Sequence, residues 1–302
     1  MNVPALDILS AKKRTNVRLL LLATCLRMTA RLSPSLAAGV LAKLFLRTRR
    51  QPTPPRESQW LESAVRTDIP SGDHRLAVWS WGEGPTALLV HGWEGRGSQL
   101  AAFVEPLLSM GFRVVTFDAP GHGQSSGRSS SLIDMADAIR DVAQWAGSVE
   151  AIVAHSAGAS VTTIALDQGL QAKALVYLAP ATDPGSFLGT VTAMLGLPPE
   201  IALVAQMRIE KRFDVYWSDL VGTALAPRME LPLTVFHDRN DREVPWTNGR
   251  DLVRPWPGAT LRTVAGLGHR RILRDPEVID SSIEWLGQSE EERNHQPHSA
   301  AN

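Results

Sequence analysis

The strongest constraint on the fold is a series of short apolar segments separated by longer segments with helical periodicity. The middle apolar segments are continuous rather than alternating, as is typical of parallel strands. Strands that alternate with helices predict an α/β fold with a mostly parallel sheet covered by helices on both faces. Because sites in such sheets form beyond the carboxyl ends of strands, functional residues are expected directly after these segments. The apolar segments span residues 75–81, 87–91, 113–118, 149–154, 174–179, 233–237 and 260–264.

Composition and charge divide the chain into sections. Residues 1–50 carry ten basic residues and one acidic residue, so they sum to +9, and residues 51–302 sum to −9 because the whole chain is neutral. Residues 1–50 are predicted to form helical segments broken at Ser33-Pro34, and residues 51–59 a Pro-rich linker. Residues 60–287 are predicted to be the folded domain, and residues 288–302 a disordered tail.

The sequence composition also limits which substrates, metal sites and membrane contacts are expected for this protein. The folded domain shows no basic face or RNA-binding motif, so nucleic acid is not expected as a substrate. The single cysteine, Cys25, excludes an intramolecular disulfide and a cysteine-based metal site. No run of 18 uninterrupted apolar residues occurs, so no membrane-spanning helix is predicted and a cytoplasmic location is expected.

Two interpretations of the basic N-terminal segment stay open. A basic arm beside an acidic domain favours an anionic surface as its partner. Residues 17–28 and 36–46 fit basic amphipathic helices that make a peripheral membrane contact through residues 1–50. They fit equally well as helices that pack on the folded domain.

The clearest candidate for chemistry is Ser156, which lies where an apolar strand runs into a helical segment. Small residues surround it in the stretch 154–158, Ala-His-Ser-Ala-Gly. A serine at a sharp strand-to-helix turn presents its hydroxyl above the sheet, and the N-terminus of the helix favours negative charge there. The alternative is a serine that caps a buried helix.

A serine hydroxyl becomes a good nucleophile only when a base takes its proton. His269 follows the last predicted strand in a glycine-containing loop, which puts it at the same edge of the sheet as Ser156. A carboxylate must then hold the imidazole in the right tautomer. Asp238, Asp241 and Glu243 all follow one strand, and three acids in one loop are also typical of a solvated turn.

Stabilising an oxyanion requires two N–H donors that converge on one point. One is expected from the backbone of Ala157, directly after the serine. The other is expected from Trp93, in the loop that follows the segment 87–91. Gly92 lets the backbone turn tightly there, and His91 is expected to order the loop through hydrogen bonds rather than to act as a base.

Together these stretches resemble the α/β-hydrolase family over roughly residues 75–287. His91-Gly92-Trp93 resembles the family's oxyanion loop, and residues 154–158 resemble its nucleophile elbow, although alanine stands at the first position where glycine is usual. Residues 117–125, Phe-Asp-Ala-Pro-Gly-His-Gly-Gln-Ser, resemble the family's Asp-x-Pro-Gly-His-Gly-x-Ser stretch, in which Asp118 and His122 brace the surrounding loops.

The resemblance also selects the acid. The family's acid usually lies in a loop that ends in Val-Pro, and Asp241 stands three residues before Val244-Pro245, so Asp238 becomes the fallback. The order Ser156, Asp241, His269 is the family's order as well. The implied fold is the α/β-hydrolase fold with a small helical cap at about residues 183–230.

The implied function is a serine hydrolase that cleaves carboxylic esters of small to medium apolar acyl groups through an acyl-enzyme, without a metal or an organic cofactor. The alternatives are an acyltransferase, lyase or peroxidase that uses the same triad, or a catalytically idle binding protein on this fold. Seven residues of the cap segment are candidates to line the substrate pocket or simply to pack the cap: Phe187, Met194, Leu195, Met207, Phe213, Tyr216 and Trp217.

Overall fold

A computed structural model describes residues 5–288 of the 302-residue chain, and for residues 5–16, 18 and 19 it describes the backbone alone. Apart from Gln288, the tail predicted to be disordered lies outside the described residues.

One sheet of eight strands forms the centre of the fold and confirms the predicted α/β class. The strands are β1 (Val65–Ser71), β2 (His74–Trp81), β3 (Thr86–Val90), β4 (Arg113–Phe117), β5 (Val149–His155), β6 (Ala174–Leu178), β7 (Leu233–Asp238) and β8 (Thr260–Val264). Their order across the sheet is β1-β2-β4-β3-β5-β6-β7-β8. The pairs β1–β2 and β2–β4 are antiparallel, and every other pair is parallel. The carboxyl ends of β3, β5, β7 and β8 therefore meet at one edge.

Helices connect and cover the strands. The α-helices are α1 (Ala5–Leu32), α2 (Pro34–Leu46), α3 (Pro55–Glu62), α4 (Val104–Ser109), α5 (Leu132–Ala146), α6 (Ala157–Asp167), α7 (Pro184–Met194), α8 (Pro199–Phe213), α9 (Gly222–Leu225), α10 (Thr247–Val253), α11 (Gly268–Arg271) and α12 (Pro276–Gly287). The predicted start signals are confirmed. Ser131 Oγ accepts from the Asp134 N–H at 3.0 Å, and the Asp134 carboxylate accepts from the Ser131 N–H at 2.8 Å. Asp275 accepts from the Val278 N–H at the start of α12.

Buried apolar side chains hold the helices to the sheet. Leu89 and Val153 of the central strands are fully buried, in one cluster with Phe103 and Trp285 from the covering segments. Burying a side chain of this size stabilises the fold by roughly 1.5–3 kcal/mol. The central strands are therefore a rigid base for the loops at their carboxyl ends.

Strand β1 is an element that the apolar pattern does not predict. Its sequence, Val-Arg-Thr-Asp-Ile-Pro-Ser, holds Asp68 and Pro70, which are rare in strands, and only Ile69 and Ser71 are buried. It forms because it pairs with β2 at the edge of the sheet through a two-residue turn at Gly72-Asp73. That turn is a hairpin signal that the sequence does contain.

The chain forms two compact units. The helical unit consists of the residues up to Leu46 together with Pro184–Trp217, and the sheet unit consists of Arg47–Asp183 together with the residues from Ser218 onward. In the helical unit, α2 packs against α1 and α8, and α7 packs against α8. The ring of Phe45 contacts those of Phe187 and Trp217, with centroids 5.9 Å and 5.8 Å apart.

The unit boundaries differ from the sections drawn from composition. The sequence places the insertion at about residues 183–230, but residues 218–230 belong to the sheet unit. The Gly222 N–H donates to the Thr182 carbonyl at 2.9 Å, and Leu225 and Ala226 are buried.

Residues 47–50, assigned by composition to the N-terminal segment, also belong to the sheet unit. Thr48 Oγ1 donates to the Gly121 carbonyl at 2.8 Å. The Arg50 guanidinium donates to the carbonyls of Gly121, Ser125 and Gly127. These bonds hold the loop after β4, because residues 47–50 supply the donors for several of its carbonyl groups.

Within residues 5–288, no helix combines the length and the apolar character needed to cross a membrane. The cytoplasmic location stays a prediction.

Candidate active site

Ser156 lies at the sharp turn between β5 and α6. Its backbone has φ 55° and ψ −123°, a conformation that residues other than glycine rarely adopt. The Ser156 N–H donates to the Leu178 carbonyl at 3.0 Å, and the Ser156 carbonyl accepts from the Ala181 N–H at 3.2 Å. Strand and helix thus hold the serine in a strained geometry, which costs about 1–3 kcal/mol and presents the hydroxyl at the edge of the sheet.

Two glycines allow the loop after β3 to approach this turn closely. A methyl group at Gly92 would come within 2.8 Å of Ser156 Cβ and 3.4 Å of its Oγ. A methyl group at Gly158 would come within 2.7 Å of the carbonyl oxygens of Val90 and His91. Ala154, where glycine is usual in the resembling family, is fully buried in β5 opposite Val90. The sheet therefore accommodates its methyl group.

The structure brings Ser156, His269 and Asp241 together. His269 is buried in the short helix α11, after the glycine-containing loop that follows β8. Its Nε2 lies 3.0 Å from Ser156 Oγ, and its Nδ1 lies 2.8 Å from Asp241 Oδ2. Because a carboxylate only accepts, Nδ1 carries the proton and donates to Asp241, which leaves Nε2 free to accept from the serine hydroxyl.

The Asp241 side chain is fully buried and well supplied with donors. Its Oδ1 accepts from the backbone N–H groups of Glu243 at 2.8 Å and Val244 at 3.0 Å. Burial on its own raises the pKa of this carboxyl, but contacts with His237 and His269 and the Val244 N–H outweigh burial and hold the pKa well below its usual range. Asp241 is therefore ionised beside His269.

Asp238, the fallback acid, occupies a different place. Its carboxylate accepts from the backbone N–H groups of Leu267 and Gly268 and from that of Asn240. It is fully buried at the end of β7. Asp238 thus anchors the loop that carries His269, whereas Asp241 contacts the imidazole. The side chain of Glu243 lies outside this arrangement, since it forms an exposed ion pair with Arg270.

Two further histidines that the sequence analysis did not assign to the site support these three side chains. His155 Nε2 donates to the His269 carbonyl at 2.9 Å, and the two rings pack with centroids 4.6 Å apart. His237 Nε2 donates to the Val244 carbonyl at 3.1 Å and lies 3.6 Å from Asp241 Oδ2. Burial lowers the pKa of His155 to about 3, so this ring is neutral beside the imidazole of His269. Direct sequence adjacency to Ser156 was the available signal for His155.

The two predicted oxyanion donors lie on the segments that flank Ser156. Ala157 is the first residue of α6, where backbone N–H groups lack partners within the helix. Trp93 follows Gly92, whose backbone approaches the serine. Among the described residues, neither the Trp93 N–H nor the Ala157 N–H donates to a protein acceptor. Their role as oxyanion donors stays a prediction.

His91 orders the loop after β3 through hydrogen bonds, as expected from the sequence. Its Nδ1 donates to the Gly92 carbonyl at 2.7 Å, and its Nε2 accepts from the Ala119 N–H at 2.9 Å. Burial lowers the pKa of His91 to about 4. The neutral ring links the loop after β3 to the loop after β4.

Asp118 and His122 brace the same region, as the resemblance implies. The Asp118 carboxylate accepts from the Gly97 N–H at 2.8 Å and the Gln124 N–H at 2.7 Å. His122 Nδ1 donates to the Pro120 carbonyl at 2.9 Å, and burial lowers the pKa of His122 to about 3. Its ring packs edge-on against that of Trp93, with centroids 5.4 Å apart.

The candidate pocket residues of the insertion differ in exposure. Met194, Met207 and Tyr216 are exposed, and Leu195 and Trp217 are buried. Their role in a substrate pocket stays a prediction. Within residues 5–288, no cluster of three or more histidine, cysteine, aspartate or glutamate side chains has the geometry to hold a metal ion.

The chemical capacity of this arrangement follows from its geometry. A hydroxyl within hydrogen-bonding distance of an imidazole that a buried carboxylate orients can lose its proton as it attacks an electrophilic carbon. The amides of Trp93 and Ala157, on the segments that flank the hydroxyl, are the candidates to stabilise the negative charge that develops on a carbonyl oxygen. The site can therefore support acyl transfer.

Comparison with known proteins shows the family and the fold. A family model described as "Alpha/beta hydrolase family" matches residues 87–280. A pyrethroid hydrolase from Sphingobium wenxiniae is 28% identical over 238 residues, which cover 65% of this chain and 85% of that protein. A serine hydrolase-like protein from Danio rerio is 34% identical over 104 residues, which cover 33% of this chain and only 32% of that protein.

Solved structures share the fold. An esterase from Exiguobacterium antarcticum superposes with a TM-score of 0.57 at 16% identity, covering 74% of this chain and 100% of that one. At this identity the likeness concerns the fold alone.

Proposed function

Because the chain belongs to the alpha/beta hydrolase family, we propose that it hydrolyses carboxylic esters through an acyl-enzyme formed on Ser156. The observation that carries this proposal is the chain of hydrogen bonds from Ser156 Oγ through His269 to the buried Asp241 carboxylate, with distances of 3.0 Å and 2.8 Å. The name of the pyrethroid hydrolase, a relative at 28% identity, supports a hydrolase reaction.

The first half of the reaction forms the acyl-enzyme. Ser156 Oγ attacks the ester carbonyl carbon while its proton passes to His269 Nε2. Asp241 stabilises the resulting imidazolium, and the N–H groups of Trp93 and Ala157 stabilise the oxyanion. The tetrahedral intermediate then collapses: the bond to the alkoxide breaks, and the leaving alkoxide takes the proton from His269.

The second half releases the acid. A water molecule gives its proton to His269 Nε2 and attacks the acyl carbonyl, which again places negative charge on the oxyanion. Collapse of this intermediate breaks the bond to Ser156 Oγ, which recovers the proton. The proposed acyl groups are small to medium and apolar, and no metal or organic cofactor takes part.

Turnover of p-nitrophenyl esters with acyl chains of two to twelve carbons tests this function. We expect the Ser156→Ala variant to lose at least about 10⁴-fold in kcat/KM, because removing a nucleophile costs several orders of magnitude. Ser148→Ala is the matched control, since Ser148 is exposed just before the opposite end of the same strand, β5. If Ser156→Ala kept more than about a hundredth of the activity, the proposed nucleophile would be wrong. A preference for short charged esters would contradict the proposed acyl group.

Product analysis separates hydrolysis from the alternative reactions. With an added alcohol as competing acceptor, hydrolysis predicts that the free acid remains the main product. Transfer of most acyl groups to the alcohol would instead identify an acyltransferase.

A further inference from the structure

Exposed large apolar side chains are concentrated in the helical unit. Among the residues whose side chains the structure describes, twelve of the thirteen such residues lie in this unit, although it is the smaller of the two. The exception is Val65 in the edge strand β1, which is 68% exposed. The helical unit therefore presents far more apolar surface to its surroundings than the sheet unit does.

Helix α1 carries apolar residues on two opposite sides. Ala23, Leu26 and Ala30 are buried and share one face of the helix. At 3.6 residues per turn, Leu21 and Leu32 lie on the opposite face, together with Val17 and Met28. This second stripe is exposed, and Leu32 has 85% of its surface accessible. Among the side chains that the structure describes, only the first face is buried, so their packing does not explain the second.

Helix α8 repeats the arrangement. Ile201, Ala205 and Ile209 form its buried face, four residues apart. Leu203 and Met207 lie on the opposite face and are exposed. In α7, Phe187 and Met194 are seven residues apart, which places them on one side, and Met194 is 81% exposed. Three helices of the unit therefore each present an apolar outer stripe.

The helical unit is also the basic part of the molecule. The residues up to Leu46 and Pro184–Trp217 include ten basic and four acidic residues, a net charge of +6, so the rest of the neutral chain sums to −6. Arg31, Lys43 and Lys211 are exposed and make no ion pair with a described residue. Lys211 continues the outer stripe of α8, one turn after Met207.

We propose that the helical unit docks on the surface of an anionic lipid bilayer, with the outer stripes of α1, α7 and α8 at the boundary between headgroups and acyl chains. Helices that combine an outer apolar stripe with arginine and lysine are typical of this interface. A second copy of the chain is a poorer occupant, because it would bring a unit of charge +6 against another. The proposal extends the contact predicted for residues 1–50 to the insertion at Pro184–Trp217.

Vesicle flotation with the purified full-length protein tests this surface. Extruded vesicles of phosphatidylcholine alone are compared with vesicles of phosphatidylcholine and phosphatidylglycerol at 0.05 M and 0.5 M salt. We expect binding to the anionic vesicles that weakens at high salt, since surface charges are then screened. The double variants Leu21→Asp with Leu32→Asp, and Leu203→Asp with Met207→Asp, should each bind at least about tenfold more weakly, because each buried leucine contributes roughly a factor of ten to partitioning.

Val65→Asp is the matched control, because Val65 is an equally exposed apolar residue in the sheet unit, and it should bind like the wild type. Unfolding monitored by circular dichroism should be unchanged in all variants, and lipid-free turnover of a soluble ester should be unchanged in the Leu21→Asp with Leu32→Asp variant and in Val65→Asp, which separates lost docking from lost folding. Failure of the wild-type protein to float with anionic vesicles would overturn the proposal. So would double variants that float like the wild type, or stripe variants that only convert a dimer to a monomer in solution.

Discussion

His155 Nε2 donates a hydrogen bond to the backbone carbonyl of His269 at 2.9 Å, so the residue directly before Ser156 also holds the histidine that contacts Ser156. The contact joins positions 114 residues apart in the chain. It connects the last residue of β5 to helix α11, and therefore helps to fix the distance between the Ser156 hydroxyl and the His269 imidazole.

Replacing His155 tests this positioning role. We expect His155→Leu to lower kcat about 10–100-fold with little change in KM, because the His269 carbonyl loses its donor and leaving it unsatisfied costs about 1–3 kcal/mol. His155→Gln keeps an N–H donor and should recover most of the loss. Steady-state kinetics of the wild type, His155→Leu and His155→Gln test this role. An unchanged kcat in His155→Leu would show that catalysis does not need the contact between His155 and His269.

Asp241 and Asp238 should respond differently to the same substitution. Asp241→Asn removes the charge that orients the His269 imidazole, and we expect kcat to fall about 10⁴-fold with the fold intact. Asp238→Asn places an amide NH₂ against at least one of the backbone N–H groups of Asn240, Leu267 and Gly268, so a lower Tm and a smaller loss of kcat are expected.

Kinetics and thermal unfolding of both variants distinguish the two roles. The reverse pattern, with the larger loss of kcat in Asp238→Asn, would show that Asp241 is not the acid that orients His269.

The close approach of Gly92 to Ser156 predicts a sharp effect of one methyl group. Gly92→Ala would place that group within 2.8 Å of Ser156 Cβ, so the loop or the serine must shift. A displacement near 1 Å costs about 10²-fold in rate, and we expect a loss of that size in kcat/KM. Gly189→Ala is the control, because a methyl group at Gly189 meets no atom within 4 Å. Equal activity of the two variants would contradict the packing described for the oxyanion loop.

Three buried histidines predict loss of stability in mild acid. Burial lowers the pKa of His91 to about 4 and those of His122 and His155 to about 3. In the unfolded chain a histidine titrates near its ordinary pKa of about 6.5, so between about pH 4 and pH 6.5 the unfolded chain binds more protons. The free energy of unfolding should therefore be greatest above that window and fall as the pH drops through it, by about 1.4 kcal/mol per pH unit for each histidine.

Urea unfolding at a series of pH values from 7.5 to 5 measures this slope. The series begins above the window of about pH 4 to 6.5 and ends within it. His122→Gln can keep the bond to the Pro120 carbonyl but removes one titrating group. The slope of its free energy of unfolding against pH should therefore be smaller by the equivalent of about one proton. An identical slope in wild type and variant would exclude His122 as a contributor.

The apolar pattern predicted the central sheet because parallel strands buried on both faces leave a continuous signal in the sequence. All seven predicted strands are present, with ends that differ by at most one residue. Strand β1 was missed because pairing with β2 overrides the poor strand preference of Asp68 and Pro70. Its two-residue turn at Gly72-Asp73 was the one local sign of it.

The site was predictable only where chemistry leaves a local signature. The elbow around Ser156 and the glycine-containing loop of His269 have such signatures, and the structure places both side chains in contact. The choice of Asp241 over Asp238 came from the family's pattern, since both follow the same strand. The contacts of His155 and His237 depend on how distant segments converge, and apart from the adjacency of His155 to Ser156 no spacing in the sequence indicates them.

The most direct test of the central claim is to treat the folded protein with a fluorophosphonate, in which attack by an activated serine at phosphorus displaces fluoride and leaves a stable phosphonate ester. Mass spectrometry of the digested protein then locates the adduct. We predict a single adduct on Ser156, absent from Ser156→Ala and strongly reduced in His269→Ala. An adduct on another serine, or none on well-folded wild-type protein, would contradict a catalytic role for Ser156.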